Sequence, residues 1–207
     1  MQSIESRLTD VMAALQSWGL LLEIDSRLPS VAGIVVGGPV RGSWRTHSQS
    51  GAIAEIVGRL REHPDVAALR LVSAKTTYVH RDLWPALLAT AGEKAEWQLQ
   101  GIRPGAKRLL EIVNVRGECQ TDRIAWTFAR TPNEAARELE RRLLVWGETV
   151  HNRSGRRARR LETWDSWKNR HHLTALIPMP EEGRKRLEEV VTALNTQFHA
   201  HARLPWM

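Results

Sequence analysis

Two short strand–turn–strand patterns, each set between amphipathic helices, limit most strongly what this chain can fold into. Residues 68–80 alternate apolar and polar side chains around a Ser73-Ala74-Lys75 turn, which predicts a β-hairpin. A second hairpin is predicted by two short runs and the basic turn between them, 145–151, 152–157 and 158–164. Helix, hairpin, helix therefore occurs twice, over 50–91 and 132–172, without an exact repeat. The pattern predicts an α+β fold that is mostly helical.

Further helices are predicted from apolar residues that recur at three- and four-residue steps. They lie at the N-terminus, on either side of the first hairpin and near the C-terminus, at 4–22, 51–63, 83–91 and 180–198. The segment 28–42 is small, apolar and glycine-rich, and its pattern fits a short helix and a buried strand equally well. Its conformation is therefore left open by the sequence.

The positive charge of the chain is confined to one third of its length. The net charge is +7, and residues 103–170 carry 16 basic and 9 acidic side chains, which accounts for all of it. Arginine dominates, with 25 Arg against 5 Lys, and its forked guanidinium suits contacts to phosphate and base edges. A confined excess of this kind indicates an anion-binding surface.

The basic third also has an ordered series of predicted elements. A helix is predicted over 103–115, and Gly117 closes its C-terminal end. Thr121 or Asp122 is placed to cap a short second helix over 122–126. A turn follows, and Pro132 stands at the first position of a third helix that runs to 144. The second hairpin then completes three helices and a two-stranded wing.

This order resembles the winged-helix superfamily of DNA-binding domains, over residues 103–167 of the chain. The resemblance implies a winged helix-turn-helix domain at 103–172, after an N-terminal helical unit with a β-hairpin, 1–102, that forms a second helix-hairpin-helix unit upstream. A C-terminal helix and tail, 173–207, would pack on the rest. In that superfamily the third helix enters the major groove of duplex DNA, and the wing touches phosphate or the minor groove.

Carried onto this chain, the resemblance places candidate nucleic-acid-binding residues on the third helix and on the wing. On the helix they are Asn133, Arg137 and Arg141, beside Glu134 and Glu138. On the wing they are Arg153, Arg156, Arg157, Arg159 and Arg160. Arg137 and Asn133 have the side-chain chemistry for forked contacts to bases, whereas the neighbouring glutamates depart from a strongly basic recognition helix. The implied function is non-enzymatic binding of double-stranded DNA.

Other interpretations remain open at this stage. The charged residues of the third helix could form a solvated face of paired charges, and winged helices also serve as protein-interaction modules. The pair Gln98 and Gln100 resembles the Gln-x-Gln element of bacterial winged-helix DNA glycosylases, where the two side chains would position a water. Finally, the segments LVSAKTTYVHRDLWPALL and ARELERRLLVWGETVH resemble an uncharacterised bacterial family of similar length, from which no activity follows.

Composition sets further expectations. The lone Cys119 cannot form an intramolecular disulfide, the histidines lack metal-ligand spacing, and no catalytic residue, cofactor or metal is assigned. No apolar stretch approaches the roughly 20 residues of a membrane span, and the N-terminus lacks a signal-peptide pattern, so we expect a cytoplasmic location. The amphipathic helix at 4–22 could pair two chains into a homodimer suited to a palindromic site.

Overall fold

A computed structural model describes residues 3–152 and 154–207 of the chain. Arg153, one of the five predicted wing arginines, lies outside the described residues. The fold is α+β, with 51% of residues in helices and two small antiparallel sheets, so the predicted class is confirmed. Among the described residues, no helix combines the length and the apolar character needed to cross a membrane.

The chain divides into two compact units. Unit 1 contains the residues up to Ala86, together with Arg184–Pro205 and Met207, and unit 2 contains Leu87–Gly183 and Trp206. The elements in chain order are α1 (Ile4–Trp18), β1 (Leu20–Leu22), α2 (Val31–Val36), α3 (Ser50–Glu62), β2 (Val66–Arg70), β3 (Thr76–His80), α4 (Trp84–Gly92), α5 (Glu96–Leu99), α6 (Pro104–Arg116), β4 (Glu118–Gln120), α7 (Pro132–Arg141), β5 (Trp146–His151), β6 (Arg157–Glu162), α8 (Trp164–Arg170) and α9 (Pro180–Phe198).

Unit 1 packs helices against a sheet with the strand order β1-β3-β2. The predicted hairpin is present as β2 and β3, and Ser73 in its turn has a φ of +50°. The segment 28–42, whose conformation the sequence left undecided, contains the helix α2. The Ser30 side chain caps this helix by accepting a hydrogen bond from Gly33 N. Because this hydroxyl satisfies one of the unpaired N–H groups at the helix start, it favours a helix over a strand there.

The prediction of one helix over 4–22 is wrong at its C-terminal end. Gly19 adopts a φ of +75°, its N–H donates to the carbonyl of Leu15, and the helix stops there. The next three leucines form β1, which pairs with β3. The apolar face of α1 is occupied within unit 1, since Val11 and Leu15 are fully buried in its core. Ile4, Leu8 and Met12 of this helix are partly buried against the same core, and the pairing of two chains stays a prediction.

Unit 2 contains the strand β4, which was not predicted, and otherwise follows the predicted order, with one exception. The helices α6 and α7 pack against a three-stranded sheet of order β4-β6-β5, and Leu109, Val113, Ala136 and Leu139 are buried between them. The exception is the predicted short helix at 122–126, which is irregular.

The predicted helix is lost because the residues at its two ends form hydrogen bonds that a helix at 122–126 would not make. Its expected cap, Thr121, donates its hydroxyl hydrogen to Asn133 Oδ1 at 2.6 Å and also takes part in hydrogen bonds with the backbone of Arg159. Trp126 donates its indole N–H to the carbonyl of Arg130. Five residues gain little from helix formation alone, so these contacts decide the conformation.

Candidate nucleic-acid interface

The first turn of α7 has a well-defined start. The Thr131 side chain accepts a hydrogen bond from Glu134 N, and the Glu134 carboxylate accepts one from Thr131 N, which together form a capping box. Pro132 follows at the first helical position, as predicted. Hydrogen bonds from Thr131 lower the pKa of Glu134 below its ordinary value, and the charges of Arg130 and Arg103 add to the effect. The helix therefore begins at a fixed point beside the positive end of its dipole.

Asn133 connects this helix start to the sheet. Its Oδ1 accepts the hydrogen bond from Thr121, and its Nδ2 donates to the main-chain carbonyl of Arg157 at 3.2 Å. Asn133 was predicted to read bases, yet both ends of its amide are engaged within unit 2. Its observed contacts are structural, because they hold the N-terminal end of α7 against the start of β6.

Arg137 and Arg141 lie one turn apart on α7 and both side chains are exposed. Neither forms a hydrogen bond or an ion pair through its side chain with any described residue. Arg137 is also one turn from Asn133, whose amide reaches Arg157. The exposed side of α7 therefore borders the start of β6.

The tip of the β5–β6 hairpin carries two more exposed arginines. Asn152 Oδ1 accepts hydrogen bonds from the backbone N–H groups of Ser154 and Arg156, and Gly155 has a φ of +73°, so the turn is tightly closed. The side chains of Arg156 and Arg157 point to solvent and have no partner among the described residues. We refer to Arg137, Arg141, Arg156 and Arg157 together as the arginine surface.

Arg159, predicted as a wing contact, belongs to the interior of unit 2. Only 16% of its side chain is exposed, and its guanidinium forms an ion pair with Glu140, with Nε and Nη2 each 2.7 Å from a carboxylate oxygen. Nη1 donates to Thr149 Oγ1 at 2.5 Å, and Nη2 donates to the carbonyl of Gly147 at 2.9 Å. All three nitrogens are used, which removes Arg159 from the candidate interface.

Arg160 also differs from the prediction. Consecutive residues of a strand point to opposite faces, so Arg160 faces away from Arg159. Its guanidinium lies 2.9 Å from Glu118 and 3.5 Å from Glu148, on the two neighbouring strands. The hydrogen bond with Glu118 raises the pKa of Arg160 above its ordinary value, and the nearby carboxylate charges act in the same direction. Its charge is thus largely neutralised by carboxylates of the same sheet.

The interpretation of α7 as a solvated face of paired charges is wrong for its glutamates. Glu138 and Glu140 are each only 5% exposed. Glu138 accepts hydrogen bonds from the backbone N–H and the Nε of Arg103, at 3.2 and 2.6 Å. In the same way, the buried Glu162 binds the guanidinium of Arg170 through both carboxylate oxygens. Each of these buried carboxylates is thus paired with an arginine of unit 2.

The Gln-x-Gln element has a structural explanation. Gln98 is fully buried, and its Nε2 donates to the carbonyls of Ala91 and Arg142, both at 3.1 Å. Its Oε1 accepts a hydrogen bond from Ala95 N. With both amide hydrogens used, Gln98 has no donor left for a catalytic water. Gln100 is exposed, and its main-chain carbonyl accepts a hydrogen bond from the Arg142 guanidinium.

The sequence interpretation missed the charges of the loop between β4 and α7. This loop, residues 121–131, was assigned to a helix and a turn, yet it carries exposed Arg123 and Arg130. Arg130 is near enough to Glu134, in the first turn of α7, to influence its pKa. In the sequence, Arg123 and Arg130 flank Trp126 and Phe128 within this short segment. That pattern was the available signal of a charged surface loop.

Comparison with known proteins gives no match to a family model, to a curated protein or to a solved structure. The function is therefore argued from the geometry of unit 2.

Proposed function

We propose that this chain binds double-stranded DNA through unit 2, without catalysing a reaction. The observation that carries the proposal is the contrast between two groups of arginines. Arg103, Arg159 and Arg170 are held by buried glutamates, whereas the four members of the arginine surface are exposed and unpaired among the described residues. Exposed guanidinium groups with no internal partner are well suited to phosphate, which they can bind through two parallel hydrogen bonds.

We further propose that unit 2 is a winged-helix domain. The chain order α6, β4, α7, β5, β6 supports the proposal, since it sets a helix and a hairpin side by side with a third strand beside the hairpin. The irregular loop 121–131 is a departure, because a regular helix-turn-helix has a second helix at this point. Unit 1 has the same sheet arrangement, with its first strand next to its third, but residues 103–170, whose charges sum to +7, all lie in unit 2.

In this proposal α7 enters the major groove and the wing follows the phosphate backbone. Arg137 is the candidate for a forked contact to guanine, and Arg156 and Arg157 contact phosphates. Asn133 positions the helix relative to the wing and does not itself read a base. Every arginine that neutralises a phosphate releases counterions, so binding weakens as salt rises. A cytoplasmic location belongs to the same proposal.

The two alternative functions differ in what they require. A glycosylase needs a pocket for an extruded base and a group that activates water. Gln98 does not supply that group, because both hydrogens of its amide are already donated to main-chain carbonyls. A protein-interaction module would use the same exposed arginines for an acidic partner. Binding to undamaged duplex DNA distinguishes the proposed function from the protein-interaction module, and the formation of abasic sites in alkylated DNA would identify a glycosylase.

The test is fluorescence anisotropy of a labelled duplex of random sequence at low salt. We expect Arg156→Ala with Arg157→Ala to weaken binding by roughly tenfold or more, on the basis of about two lost phosphate contacts. The matched control removes the same charge from unit 1 with Arg41→Ala and Lys185→Ala, two exposed residues, and should bind like the wild type. If the wild type does not bind, or if both double variants lose affinity equally, the proposed interface is wrong.

A further inference from the structure

An aromatic pair stands at the surface of the loop 121–131. The rings of Trp126 and Phe128 have centroids 5.1 Å apart and planes inclined by 55°. Trp126 is half-buried and fixed by the hydrogen bond from its indole to the carbonyl of Arg130. Phe128 remains 38% exposed, so part of its ring is available to a ligand.

The pair rests on the backbone of α6. A Cβ atom at Gly105, in the first turn of that helix, would lie 3.2 Å from Trp126 Cζ2 and 3.4 Å from Cβ and Cγ of Phe128. The absence of a side chain at Gly105 therefore lets both aromatic residues approach the helix closely. Because one side is supported in this way, Phe128 presents a positioned surface, and ordering it costs little entropy on binding.

Two exposed arginines and one exposed aspartate, Asp122, lie in the same loop as this aromatic surface. Arg123 and Arg130 flank it in sequence, and both are exposed without an ion pair to any described residue. The influence of Arg130 on the pKa of Glu134 indicates that the loop approaches the N-terminal end of α7. The aromatic pair and the arginine surface thus border the same helix, α7.

We propose that the loop binds an unpaired base of the nucleic acid, which stacks on Phe128 while Arg123 and Arg130 contact the adjoining phosphates. This inference rests on the proposed function and specifies its ligand as duplex DNA that continues into a single strand. An exposed aromatic ring among cations is the usual platform for unstacked bases. Bases inside a duplex are already stacked and offer no free face, so a fully paired ligand would leave Phe128 unused.

The experiment compares two labelled probes of the same duplex, one blunt and one with a short single-stranded extension, against the full chain. We expect the extension to raise the affinity roughly five- to tenfold, within the range for one stacked base. Phe128→Ala and Phe128→Leu should remove this gain, because leucine keeps the apolar packing but has no flat π-face. Phe128→Tyr should preserve it. The control is Val115→Ala, which truncates another exposed apolar side chain of unit 2.

Binding to the blunt duplex serves as the measure of folding and of the proposed function. If all variants bind the blunt probe equally and the extension adds nothing, or adds the same gain to Phe128→Ala, the inference is overturned and the proposed function stands. If neither probe binds the wild type, both are overturned. A gain that requires an aromatic residue at position 128 supports the inference.

Discussion

Arg159 and Glu140 form an ion pair in a confined space between α7 and the sheet. The Arg159 side chain donates four hydrogen bonds or charge contacts around Glu140, Thr149 and Gly147. Gly147 permits this arrangement, since a Cβ atom there would lie 2.5 Å from Glu140 Oε1. The pair is therefore enclosed on several sides, and its two members depend on each other.

We expect Glu140→Gln to lower the free energy of unfolding by about 3 kcal/mol, because it leaves the largely buried Arg159 without a counter-charge. Urea unfolding followed by circular dichroism measures the effect. In the double variant Glu140→Leu with Arg159→Met, much of the loss should be recovered, since an apolar pair needs no charge compensation.

The control for this variant is Glu111→Gln, which breaks the exposed ion pair with Arg108. Exposed pairs contribute little, so the change should stay below about 1 kcal/mol. Equal effects at positions 111 and 140 would contradict the assignment of Arg159 to the interior.

At the scale of elements, α7 depends on its capping box. We expect Thr131→Val to cost about 1 kcal/mol of unfolding free energy through loss of the side-chain cap. Since the folded pKa of Glu134 is lowered, its carboxylate contributes stability at neutral pH. That contribution is lost as the pH falls below the ordinary value of 4.5 and through the folded pKa.

The measurement is urea unfolding of the wild type and of Glu134→Gln between neutral pH and about pH 3. The wild type should be the more stable at neutral pH, and the difference should shrink on acidification. The same substitution in Thr131→Val should have a smaller effect, because one of the hydrogen bonds to the carboxylate is already absent. A difference that is independent of pH would show that the box does not act through the Glu134 charge.

Helices and strands longer than a few residues were mostly well predicted from the sequence. Pro132 begins α7 and Gly117 follows the end of α6, because capping preferences depend on a few adjacent residues. The short elements were not. The strands β1 and β4 have only three residues each and gain their stability from partners elsewhere in the chain. Their local sequences therefore contain too little information to identify them.

At the scale of the whole molecule, the distribution of paired charge determines the candidate function. Among the described basic residues of 103–170, six arginines form ion pairs with acidic residues of unit 2, namely Arg103, Arg108, Arg142, Arg159, Arg160 and Arg170. The remaining positive charge is left for the exposed surface. The net charge of +7 therefore reflects a neutralised interior and a basic exterior.

This distribution predicts the salt dependence of DNA binding. With Arg137 on a base and the other three members of the arginine surface on phosphates, the logarithm of the binding constant should fall with the logarithm of salt concentration with a slope of about −3. Anisotropy titrations over a range of salt concentrations measure the slope. The slope should change to about −1 in the variant lacking Arg156 and Arg157, and should keep the wild-type value when Arg41 and Lys185 are replaced. A slope near zero would contradict phosphate binding.

The sequence by itself determined most of the helix periodicity, the two hairpins, the end of α6 at Gly117, the start of α7 at Pro132 and the confinement of positive charge to one third of the chain. Each of these depends on neighbouring residues or on a count. Only the tertiary structure decided which arginines are available. Glu140 and Arg159 are 19 residues apart, and Glu138 and Arg103 are 35 apart. A charge pairs with whatever the fold brings within a few ångströms, and that distance is not written in local sequence. The same is true of Phe128, whose position depends on Gly105 in another helix.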